Sequence, residues 1–317
     1  MTRRVLLASL LAALAFMPGR ALAADRYAEL ANAGLAAMRR GDYADAETQF
    51  LEALGEAERS SGRNDNRVAA SLNNLATVYR RQVRYPEAER MLLRALTIRE
   101  RLNGPEHPDV AIVLNNLGTV QVRLKRYPSA EASYRRALAI REKAYGKEHA
   151  RVATVLDNLG ILAVEQKLLD EAEPLYRRAL AIREKVLKPE HPDIGTSWVN
   201  LAELARRRER YEDAETLYKR GLAIREKAGG RMHQDLIEPL TGLGEVYRAT
   251  GRKTEAAAAY DRALSIGDKQ RPEVPSDFAQ RFENYARLLR DMGRASDASQ
   301  VETRAAAFLG PARRVAR

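Results

Sequence analysis

Cysteine is absent from all 317 residues, which excludes disulfides, thiolate nucleophiles and sulfur metal ligands together. Aromatic residues are scarce, with five Phe and a single Trp. The apolar residues are mostly Ala and Leu, strong helix formers, and the β-branched runs that a sheet needs are missing. There is no Gly-rich phosphate loop, no nucleophile elbow and no HExxH, so catalysis has no foothold. Beyond the first residues, no apolar run is long enough to span a bilayer.

What is present begins at the N-terminus. Arg3 and Arg4 form a positive region, Val5 to Met17 an apolar core, and Pro18-Gly19 a break. Ala21-Leu22-Ala23 then places small residues before a cut between Ala23 and Ala24. This order predicts a secretory signal peptide over residues 1–23, and hence a periplasmic or secreted protein; an uncleaved anchor is the alternative, with a rather short core. Removing this segment takes out Arg3, Arg4 and Arg20 and no acid, so the net charge falls from +11 to +8. A basic surface often means nucleic acid, but export makes that partner unexpected.

The rest of the chain repeats every 42 residues. Blocks open at Arg26, Val68, Val110, Val152, Ile194, Leu236 and Phe278. A period of this size without strand signals predicts stacked helical hairpins. In the third block Val113, Leu114, Leu117, Val120 and Leu124 lie on one helix face, and Ala130, Tyr134, Ala137 and Ile140 on that of a second helix; both follow the 3–4 spacing of an amphipathic helix. Pro86 and Pro128 suit the first turn of the second helix, where a missing N–H costs nothing. Gly118, Gly160 and Gly244 share a column with Ala76 and Ala202, and small residues at a fixed point allow the two helices to approach closely.

Leu114, Leu117-Gly118, Tyr127, Ala130 and Ala137-Leu138 resemble the tetratricopeptide pattern of small and large residues. The longer unit, with LNNL, ALAIREK and an EHPD linker, is similar to the repeats of kinesin light chains. The resemblance implies an all-α, right-handed solenoid of about seven hairpins over residues 24–309, in blocks 26–67, 68–109, 110–151, 152–193, 194–235, 236–277 and 278–309. A basic tail, 310–317, is expected to be disordered. The resemblance further implies a concave groove lined by the first helix of each pair, a surface used for binding rather than catalysis.

Several polar columns repeat with the same period. Asn32, Asn74, Asn116, Asn158 and Asn200 occupy one position of the first helices, with Asn73 and Asn115 beside the later ones; only Gly242 breaks the series before Asn284. Asn lowers helix propensity, so its recurrence needs a compensating bond. Two partners are open: the main chain of an extended peptide, as the family resemblance implies, or a neighbouring helix of the scaffold itself. Arg81, Arg123 and Arg207, with Arg80 and Arg206, lie one or two turns further on and would make the groove basic. The Lys of the carboxylate clamp known in chaperone-binding relatives has no counterpart, because Asn73, Asn115 and Asp157 stand there.

His107, His149, His191 and His233 form another column. Successive copies lie ~10 Å apart, too far to share an ion. They are expected in linkers where Asp109 and Asp193 cap the next helix. Arg99, Arg141, Arg183 and Arg225, with Arg135-Arg136 and Arg177-Arg178, are expected on the outer face. These features predict a non-catalytic scaffold or adaptor of the cell envelope. It would hold a protein or peptide partner, an acidic one if the arginines face it, in the groove. No cofactor, metal or nucleic acid is expected, no span after cleavage of the leader, and the oligomeric state is left open. Self-association, or binding of an anionic envelope glycan or lipid, is the alternative.

Overall fold

The computed structural model describes residues 18–269 and 278–306; the expected leader up to residue 17 and the tail 310–317 lie outside them. Fourteen α-helices follow one another: α1 Pro18–Arg39, α2 Tyr43–Ser61, α3 Asn66–Arg81, α4 Tyr85–Asn103, α5 Pro108–Arg123, α6 Tyr127–Tyr145, α7 Ala150–Glu165, α8 Leu169–Val186, α9 Pro192–Arg207, α10 Tyr211–Gly229, α11 Ile237–Ala249, α12 Lys253–Lys269, α13 Phe278–Asp291 and α14 Ala295–Ala306. A 3-10 turn, Gln234–Leu236, leads into α11. The pairs stack into an all-α solenoid, each hairpin packing on the next. No described helix is long and apolar enough to cross a membrane.

Each hairpin turns in the same way. Arg84 N–H bonds to Tyr79 O at 2.8 Å and Val83 N–H to Arg80 O at 3.2 Å, the double bond that closes a helix whose next residue is left-handed. That residue is Gly41, Gly251 or Gly293 in three hairpins, but Val83, Lys125, Lys167 and Glu209 in the middle four, at φ of 58–64°. A left-handed L-residue costs ~1–2 kcal/mol. Packing of the two helices must hold these four turns in place.

The hairpins close through the small-residue column. A Cβ on Gly118 would lie 2.6 Å from the Tyr134 ring, and one on Gly160 2.4 Å from Tyr176. Aromatic rings therefore fill the space that glycine leaves. Where Ala202 replaces glycine, the opposing Tyr218 ring meets the next repeat instead, so close that a Cβ on Gly242 would stand 2.3 Å from it. The break in the Asn column thus has a steric cause.

Two expectations about polar residues need correction. The cap before α5 is His107, not Asp109: His107 Nδ1 accepts the Asp109 N–H at 3.2 Å. His149, His191 and His233 do the same for Arg151, Asp193 and Asp235 at 3.1–3.3 Å. An imidazole nitrogen takes the role of the usual cap oxygen, because the helix begins at the residue after the histidine and Asp109 already lies within its first turn. The second correction concerns the outer arginines. Arg141, Arg183 and Arg225 are buried between repeats. Arg141 donates to Arg151 O at 2.6 Å and Arg225 to Asp235 O at 2.7 Å, while Arg183 pairs with buried Asp157 and bonds Ser197. Their position explains it: Arg141 follows Tyr134 by seven residues and Ala137 by four, on the buried stripe.

The convex side carries a second periodic link. Arg94–Glu58, Arg136–Glu100, Arg178–Glu142, Arg262–Glu226 and Arg304–Asp268 each join one hairpin to the one before. The equivalent Arg220 instead stacks on Trp198, 5.1 Å from its ring centroid. Each such pair, partly exposed, contributes at most ~1 kcal/mol.

Candidate functional site: the concave groove

A cavity of about 540 Å³ opens on the face formed by the first helices. Arg123 of α5, Ile161 of α7, Asn200 and Arg207 of α9, Glu245 of α11 and Asn284 of α13 line it, with Tyr176 and Tyr218 reaching in from α8 and α10. The Asn column and the Arg123/Arg207 column therefore face the concave side, and the period carries Asn74, Asn116, Asn158 and Arg81 to equivalent places. Two shallower depressions of about 530 and 600 Å³ lie between second helices. They are bordered by the paired Glu58–Arg94 and Glu142–Arg178 and are copies of one notch between repeats.

The Asn side chains bond to one another first. Asn116 Nδ2 donates to Asn73 Oδ1 at 2.8 Å, and Asn158 Nδ2 donates to Asn115 Oδ1 at 2.8 Å. Each rung ties one first helix to the previous one. It uses one N–H of the donor amide and leaves the other N–H and the Oδ1 for a ligand. Asn200 lies beside Asp157 and helps to hold that carboxyl down, although burial dominates and pushes it up. Within hydrogen-bonding geometry Asn200 Nδ2 and Asp157 Oδ1 find no partner among the described residues, while Asp157 Oδ2 accepts from Arg183. Asn74 differs from all of these. The position 43 residues earlier, where a rung partner would stand, is Ala31, so no rung can form, and Asn74 makes no side-chain hydrogen bond among the described residues.

The charges divide the groove. In α9, Arg206 and Arg207 donate to Glu203 at 2.9 and 2.7 Å, and Tyr218 Oη donates to the same carboxylate at 2.8 Å. Burial pushes Glu203 up, but these three donors outweigh it and bring its pKa down to about 2. Arg248 likewise pairs with Glu245, which also accepts from Tyr260 and Asn284. Arg207 thus faces the groove sharing the Glu203 carboxylate with Arg206. Arg80, Arg81 and Arg123 have no carboxylate partner among the described residues. Burial lowers the Arg80 pKa, and the charges of Arg81 and Arg123 lower it further. Arg39, which the sequence reading missed, stands in the same column one repeat earlier and is also unpaired; its spacing of 42 from Arg81 was the available signal. Near these arginines burial pushes the Tyr134 phenol up to about 12, so it stays a neutral donor, bonding Thr119 Oγ1 at 3.1 Å. No cluster of His, Asp and Glu able to hold a metal occurs among the described residues.

A stack of two-helix hairpins with a polar concave groove defines the class of α-solenoid repeat proteins. The tetratricopeptide repeat profile matches residues 26–101, 68–143, 122–185 and 193–269, and the chain belongs to that family. No curated protein matches it. Among solved structures, BtubC (BKLC) of P. vanneervenii is 26% identical, covering 68% of this chain and 93% of its own, with a TM-score of 0.54. The nearly identical TPR-like repeats of a kinesin light chain of Podosopora anserina are 23% identical over 64% of this chain and 96% of theirs, at 0.50. The Rap conjugation gene regulator of the plasmid pLS20, in complex with the Phr* peptide, is 14% identical over 95% and 78%, at 0.67. The family and the solenoid make this protein a protein-binding scaffold.

Proposed function

We propose that the protein is a non-catalytic adaptor of the cell envelope that holds an extended segment of a partner protein along its concave groove. The observation that carries this reading is the free Asn74 amide above the Asn116–Asn73 and Asn158–Asn115 rungs. Together they present polar groups suited to a peptide main chain. Exposed Ile112 and Ile161 stand on the same face and offer apolar contact. The hydrogen bonds alone, at ~0.5–1.5 kcal/mol each, fall short of the ~8 kcal/mol of micromolar binding, so side-chain contacts must add to them. The solenoid shared with the Phr*-bound regulator is compatible with such a mode. The envelope assignment rests on the order of charged, apolar and small residues over 1–23.

A photo-crosslinking residue placed in the full chain at Ile161, in the groove, or at Leu93, an exposed residue of a second helix, tests the site in cells. A partner crosslinked from Ile161 and not from Leu93 supports the groove. Crosslinks from Leu93 alone would move the site to the outer face. N-terminal sequencing of the same protein, recovered from the envelope fraction, should begin at Ala24; an intact Met1 in the cytoplasmic fraction would remove the envelope role.

A further inference from the structure

The groove does not carry its positive charge evenly. The whole of α3 contains no acidic residue, and α5 has only Asp109 at its start. Between them these helices, with the end of α1, present Arg39, Arg80, Arg81 and Arg123. None of the four makes an ion pair among the described residues, and no carboxylate stands on the groove-facing positions of α3 and α5. From the fourth repeat onward the pattern reverses. Glu165 occupies the arginine column, Arg206 and Arg207 share Glu203, and Arg248 pairs with Glu245. The groove arginines of the first three repeats therefore stand without a carboxylate partner among the described residues, and burial and mutual repulsion already press on Arg80.

From this we infer that the first three repeats form a receptor for side-chain carboxylates presented three residues apart on an extended protein segment. The inference rests on the groove-binding reading and adds the chemistry and register of the bound segment. Arg39, Arg81 and Arg123 recur once per repeat, and neighbouring first helices pack ~10 Å apart. An extended chain rises ~3.3 Å per residue and a polyproline II chain ~3.1 Å, so three residues span one repeat. In a polyproline II segment every third side chain also returns to the same face. Arginine binds carboxylate through two parallel N–H donors, which suits it to this contact better than lysine. Exposed Leu35 and Ile112 on the same helices take the apolar side chains between the acids, and the unpartnered Asn74 takes the main chain. These apolar and amide groups favour a protein segment over a phosphate or sulfate polymer, which would have no use for them.

The test is fluorescence anisotropy on the full chain with three synthetic peptides of one composition class. The first carries Glu at every third position, the second has the same Glu residues in one block, and the third has Gln in their place. The first should bind most tightly, and the Gln peptide about tenfold or more weakly, the equivalent of losing one charge-assisted contact. R81Q combined with R123Q should produce the same loss, while R135Q on the outer face should not. The double variant should melt no lower than wild type, since it removes repulsion and no native contact. Equal binding of the Glu and Gln peptides would overturn the carboxylate receptor and leave the groove reading intact. Binding of none of the three, with heparin binding instead, would overturn both. Preference for the blocked peptide would overturn the three-residue register.

Discussion

At the residue scale, function and stability depend on which partner each polar atom has found. The four linker histidines illustrate this. With Nδ1 accepting a backbone N–H, a neutral ring carries its proton on Nε2. The evenly spaced histidines, His107 exposed and the other three half-buried, therefore serve the helix starts and not a ligand. Replacing His107 by Ala should cost about 1 kcal/mol, the usual loss of an N-terminal cap, read as a shift in urea midpoint. His107→Asn, which restores an acceptor, should recover most of it. If Ala and Asn behave alike, the Nδ1 contact contributes nothing. Asp109 has a different role at the same helix start: it accepts from Arg99 Nη1 at 3.1 Å and lies favourably for the helix dipole.

At the element scale, the hairpin is decided by one contact across two helices. Gly118 exists because the Tyr134 ring occupies the place of a Cβ, and in the second repeat the same two positions hold Ala76 and Leu92, both buried. The columns therefore exchange volume as a pair. Gly118→Ala should destabilise by ~1–3 kcal/mol through overpacking. In the Tyr134→Leu background the same change should cost much less. A thermodynamic cycle measures this coupling, and additive effects of the two substitutions would show that the ring and the glycine are independent. The same reasoning accounts for Gly242, where the displaced Tyr218 ring excludes an asparagine. That gap interrupts the ladder in the sixth repeat, between Asn200 and Asn284.

At the scale of the whole molecule, stability runs along a chain of inter-repeat links, several of which depend on ionised carboxylates. Glu215 is brought down to about 2, chiefly by its hydrogen bond from Arg252 of the next hairpin. Glu173 is lowered by Arg177 and by Arg208 of the next hairpin. Glu203 acts within one hairpin: although burial opposes it, Arg206 and Arg207 of its own helix and Tyr218 of the paired helix hold it at about 2. A carboxyl whose folded pKa lies below its unfolded value near 4.5 contributes in full above pH 4.5. That contribution is lost as pH falls from about 4.5 toward about 2. The melting temperature should fall through this window, and Glu203→Gln, which cannot titrate, should fall less steeply over it. A variant with the same acid slope as wild type would remove Glu203 from the account.

Period and helix were legible in the linear order of residues; the groove side was what the family resemblance implied. A repeat of 42 with apolar residues three and four apart leaves an all-α hairpin stack as the solution that buries every stripe. The Asn and Arg columns could be placed on the first helices from spacing alone. Partnership was not legible. Asn116 and Asn158 bond Asn73 and Asn115 at a separation of 43 residues. Arg141 and Arg225 turn inward to backbone oxygens, and Arg207 meets Glu203 while Arg123 meets no acid. A one-dimensional pattern states which face a residue occupies, since that follows from the helical period. Which atom saturates it depends on distances between successive helices and on the direction of each side chain, and those arise only when the hairpins stack.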